Sequence, residues 1–164
     1  MDVLTHPAVD VAVRRVCEYD APASASGAVI LDDEVAVLVD TQKARYVVFI
    51  EHSEGSWAAP DSLFGTAREA AAVREAVTVD RRPLSPPSRS RVRSGSGALW
   101  YALSGTAAED AVTVEVVSQL GRAVVPVDAD GLVFAVVPVR DSEKPSATVH
   151  TRDGRAVPMP AVWL

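Results

Sequence analysis

The chain has 164 residues and a formal net charge of −6, with 48% hydrophobic and 23% charged residues. Those proportions exclude a disordered tail, a collagen-like rod and a long coiled coil. Val contributes 29 residues and Ala 26 against nine aromatics, so the core is built from small aliphatic side chains, which favours sheet over helix bundle. Asn is absent and Cys17 is the single cysteine. Sites that need an Asn side chain are therefore excluded, and so is an internal disulfide. Met1 to Asp10 shows no secretory signal and no run reaches membrane-spanning length, which makes cytoplasmic residence the expectation.

From the N-terminus, Val9, Ala12, Val13, Val16 and Cys17 recur at helical spacing. They predict an amphipathic helix over 7–19, with Pro7 in its first turn and Cys17 on the apolar face. Turn formers from Asp20 to Gly27 end it. Strands are expected at Ala28 to Leu31, Val35 to Val39 and Tyr46 to Ile50, joined by hairpin-length connections. A short fourth strand around Trp57 ends before Pro60. Thr66-Ala67-Arg68-Glu69 has capping-box spacing, which predicts a helix over 67–77.

Charge divides the chain: residues 1–80 carry −8, residues 81–97 carry +5 and residues 98–164 carry −3. The middle stretch holds Arg81, Arg82, Arg89, Arg91 and Arg93 among Pro, Ser and Gly, and reads as a linker or exposed loop. Beyond it, Val112, Val114 and Val116 alternate with polar residues, as do Ala147 and Val149. Turn signals at Gln119-Leu120-Gly121, Asp128 to Gly131, Asp141 to Pro145 and Asp153-Gly154 separate about six short strands between Ala98 and Met159. That rhythm predicts an antiparallel sandwich or barrel. It resembles an immunoglobulin-like unit but lacks the Cys…Trp…Cys pattern of antibody domains.

Catalytic signatures are missing. No phosphate loop, Gly-x-Ser-x-Gly elbow, Ser-x-x-Lys or His-Glu-x-x-His occurs. His52, with Glu51, Glu54 and Asp61 nearby and Ser53, Ser56 and Ser62 as hydroxyls, has the composition of a hydrolytic site. The same run suits a solvated hairpin end better. His6, His52 and His150 share no ligand spacing, and a calcium loop begun at Asp128 would place Leu132 and Val139 where oxygens are needed. No catalytic residue, metal or cofactor is assigned.

The expected fold is α+β and β-rich. An N-terminal helix with a small antiparallel sheet (1–80) is joined through 81–97 to an antiparallel β-sandwich or barrel-like unit (98–164), the two halves packing together. In the first sheet Tyr46, Val48 and Ile50 oppose Val47 and Phe49, so both faces are apolar. The helix covers one face; the other must meet the C-terminal unit, the 67–77 helix or another chain. The function expected is a non-catalytic protein-interaction or assembly module acting through a sheet face or edge, by self-association or with a protein partner. Tyr46, Val47, Phe49, Arg89, Arg91 and Arg93 are the candidate contacts. The alternatives are a small hydrolase-like enzyme using His52 and a nucleic-acid-associated protein using the 81–97 arginines. The acidic remainder and the absence of an aromatic within 81–97 weigh against nucleic acid, and no membrane association is expected.

Overall fold

A computed structural model describes residues 2–68, 74–76 and 84–159. The chain divides into two compact units, Met1–Ala70 and Ala71–Leu164. The sheets are antiparallel, and among the described residues none closes into a barrel.

In the first unit a short 3-10 turn leads into helix α1, Pro7–Cys17. His6 caps it, its Nδ1 accepting the Ala8 N–H at 3.2 Å, and Pro7 occupies the position where a missing donor costs nothing. Asp10 near the start and Arg14 and Arg15 near the end match the helix dipole. Ala8, Val9, Ala12 and Val16 are buried. Cys17 is exposed, which corrects the apolar-face expectation: the buried stripe centres on Ala12 and Val16, and the last residue of the helix lies beyond its edge.

Five strands form one sheet: β1 Ser24–Ile30, β2 Glu34–Asp40, β3 Ala44–Ser53, β4 Ser56–Ala58 and β5 Gly65–Ala67. Their order is β1-β2-β3-β4, with β5 pairing the opposite end of β3. Register places Val35 beside Ile50, Val37 beside Val48 and Val39 beside Tyr46. This face packs with Ala8, Val9, Ala12 and Val16 of α1 into one core. Each fully buried Val or Ile contributes roughly 1.5–3 kcal/mol. Ala36, Leu38, Val47 and Phe49 on the opposite face are buried as well, which is why β2 is apolar at every interior position.

The 67–77 helix falls mostly outside the described residues. What is described departs from it: Thr66 and Ala67 lie in β5, and 74–76 have no regular structure. Pairing with Ala44 to Tyr46 wins over the local capping signal.

The second unit is a sandwich of two sheets. β6 Leu84–Arg93, β7 Leu99–Ala107 and β10 Leu132–Pro138 form one, in the order β10-β7-β6. β8 Ala111–Val117, β9 Arg122–Pro126, β11 Ser146–Thr151 and β12 Ala156–Pro158 form the other, in the order β12-β11-β8-β9. The hairpin partners β6 and β7, β8 and β9, and β11 and β12 stay within one sheet, while the connections from β7 to β8, β9 to β10 and β10 to β11 cross between the sheets. The shared core takes Tyr101, Leu103, Val133, Ala135 and Val137 from one sheet and Val114, Val116, Ala147 and Val149 from the other. β7 to β12 are the six strands expected between Ala98 and Met159. Arg74 pins the start of this unit by donating to the carbonyls of Ala107 and Ala108 at 3.0 and 3.1 Å.

Candidate functional site

Residues 84–93 form strand β6, so the linker expected over 81–97 is corrected there; Arg81 and Arg82 lie outside the described residues. The stretch folds as a strand because β7 offers it a ladder from Arg93↔Leu99 to Leu84↔Ala107. Pro86 and Pro87 lack the N–H that a central strand needs, but they fall at the register shift between Ser85 and Ser88 and on an edge strand. Those are the two places a sheet tolerates proline. A hairpin, with Gly97 at φ 88°, closes the other end.

β6 is the last strand of its sheet, and among the described residues nothing pairs with its outer side. The Ser94 N–H donates to the Ala98 carbonyl at 2.9 Å. Antiparallel ladders alternate, so the main-chain groups of Ser90 and Val92 turn toward β7 and those of Arg89, Arg91 and Arg93 turn to the open edge. Register puts the side chains of Arg89, Arg91 and Arg93 on the face of Leu103, Tyr101 and Leu99 respectively. The three arginines thus lie on the core-facing side of this edge strand and are nonetheless exposed.

Their partners differ. Arg93 pairs with Asp141 at 2.7 Å and donates to the Gly97 carbonyl. Arg91 donates to the main-chain carbonyl of Glu143. The Glu143 carboxylate accepts instead from the N–H groups of Arg140, at 2.9 Å, and Gln119. The Arg140 amide leads in holding that carboxyl below the usual range, and Arg91 adds a smaller pull. Arg89 and Lys144 have no side-chain partner among the described residues. Arg89, Ser90, Arg91, Tyr101 and Lys144 line an open basin of about 450 Å³. Burial pushes the Tyr101 phenol up, while Arg89 and Arg91 pull it the other way.

The other candidates are placed differently. Val47 and Phe49 are 8% and 4% exposed, so neither offers a free surface on the folded chain. The Tyr46 ring covers Gly65, where an added Cβ would sit 2.6 Å from it. His52 is exposed, its ring 4.8 Å from that of Trp57, which His6 flanks at 4.9 Å. Among the described residues no carboxylate bonds to His52, so the orienting partner of a general base is not there. No three His, Cys, Asp or Glu side chains converge among the described residues. No described helix is long and apolar enough to cross a membrane.

Tyr101, Glu143 and Lys144 escaped the sequence reading. Leu99 to Leu103 is an apolar run that signals a core strand, and only the pairing with β6 brings Tyr101 beside the arginines. The signal for β6 was available in the Arg-Ser-Arg-Val-Arg alternation, a period of two hidden by the prolines before it and the glycines after it. Comparison of the chain with known protein families, with curated proteins and with solved structures returned no match.

Proposed function

We propose that the chain is a non-catalytic interaction module whose working surface is the open edge of β6, and that its partner is an extended acidic segment of another protein. The observation that carries this reading is the coincidence, at Arg89, Arg91 and Arg93, of outward main-chain groups with cationic side chains on one face. A strand added along that edge gains main-chain hydrogen bonds, and acidic residues at every second position of it gain the arginines. Two copies of β6 laid edge to edge would juxtapose like charges, which disfavours self-pairing and selects an acidic partner. Pro86 and Pro87 close the rest of the edge to indiscriminate pairing.

A fluorescent peptide of about eight residues alternating Glu and Val supplies the test. Its anisotropy should report saturable binding at low salt that weakens several-fold at roughly 0.5 M salt. An R89S/R91S variant with unchanged circular dichroism should lose it. Equal binding by the variant would refute the proposal.

A further inference from the structure

Tyr101 is 2% exposed, and its hydroxyl, itself buried, has no hydrogen-bond partner among the described residues. A phenol in that state has given up its bonds to water and gained nothing in exchange. The surroundings define what would satisfy it. Arg89, Arg91 and Lys144, which share the basin with Tyr101, carry donors and no side-chain acceptor. Among the described residues no carboxylate hydrogen-bonds them, although the Glu143 carboxylate is close enough to feel Arg91. Asp141 is taken by Arg93, and Glu143 turns its carboxylate to the amides of Arg140 and Gln119, offering Arg91 only a carbonyl. A buried donor beside three cations that share no hydrogen-bonded carboxylate among the described residues is a setting for an anion.

We infer that this basin binds a tetrahedral oxyanion, phosphate or a phosphate monoester, with Arg89, Arg91 and Lys144 neutralising its charge and the Tyr101 hydroxyl donating to one oxygen. Two guanidinium groups, an ammonium and a phenol, drawn from β6, β7 and the segment before β11, supply more donors than the two oxygens of a carboxylate can use. They suit the oxygens of a phosphoryl group. Tyr101 lines the basin and its hydroxyl is buried, so binding requires the exposed Arg89 and Arg91 side chains to move aside and let the anion reach it. Ser90 adds no charge of its own. The inference stands on the unpartnered phenol and does not require a strand to dock on β6. The anion arrives either free or on a phosphorylated side chain.

The full chain contains three tyrosines, Tyr19, Tyr46 and Tyr101, so 13C-tyrosine labelling resolves the site directly. Inorganic phosphate titrated at constant ionic strength should shift the Tyr101 ring signals saturably and leave the other two in place. The Y101F variant keeps the ring and removes only the donor, and should weaken phosphate by about tenfold or more, as should R89Q. Phenyl phosphate in a second arm separates the sources: tighter binding than inorganic phosphate marks an attached phosphoryl group, and equal binding marks free phosphate. No saturable shift, a shift spread over all three tyrosines, or Y101F binding at full affinity would overturn the inference. Should Y101F fail to fold, the labelled natural chain and R89Q, whose altered side chain is exposed, still decide it.

Discussion

β3 and β6 both drew attention as surfaces, and they part company in the folded chain. On β3, Val47 and Phe49 are buried on one face and Tyr46 is half-buried on the other, where α1 packs. Arg89, Arg91 and Arg93 on β6 stay exposed along an edge. The difference teaches that a strand apolar on both faces announces burial. A strand with cations at every second residue announces an edge, where charge keeps unwanted strands away.

The comparison breaks most sharply at Val47. Val47→Asp would bury a carboxylate with no cation opposite it, at a cost on the order of several kcal/mol. Loss of the folded circular dichroism signal, or a collapsed urea midpoint, is expected; a variant of unchanged stability would return β3 to the list of open surfaces.

Asp40→Asn tests the polar end of the same sheet. Arg45 grips Asp40 through two bonds of 2.6 and 2.8 Å. Desolvation pushes the Asp40 carboxyl up, yet the hydrogen bonds and charge of Arg45, with help from Ser26 and Arg68, bring it below the usual aspartate value. Breaking a pair this buried should cost about 3 kcal/mol at neutral pH. Because the folded carboxyl is the more acidic, its contribution is present above the unfolded value, near 4, and is lost as pH falls through the folded one. Urea titrations should therefore show the gap between natural and variant chains narrowing below about pH 4.

Gly65→Ala sharpens the role of Tyr46, since the new methyl would meet its ring at 2.6 Å. Overpacking of that kind costs about 1–3 kcal/mol, and thermal denaturation should register it. The smallest effect belongs to β6. R89S/R91S should change stability by no more than about 0.5 kcal/mol, because both side chains are exposed, while removing acidic-peptide binding. A large destabilisation would mean the arginines hold the sandwich together rather than furnish its surface.

What the chain disclosed in advance follows from locality. α1 was readable because Val9, Ala12 and Val16 repeat within a few residues, and β7 to β12 because turn residues punctuate them. Thr66 misled because its capping spacing is local while its pairing with Arg45 is not. β6 was hidden for the same reason: prolines and arginines look like a linker until β7 supplies the ladder. The basin was beyond reach altogether, since Tyr101 meets Arg91 only through register and Lys144 arrives from a loop more than forty residues away in sequence.

Amide hydrogen exchange along β6 tests the central claim most directly. In the free chain the amides of Arg89, Arg91 and Arg93 should exchange quickly, while those of Ser90 and Val92, directed at β7, are protected. Adding the alternating Glu/Val peptide should slow Arg89, Arg91 and Arg93 and leave Ser90 and Val92 as they were. Unchanged exchange at the three arginines with saturating peptide, or protection appearing on another strand, would contradict the account.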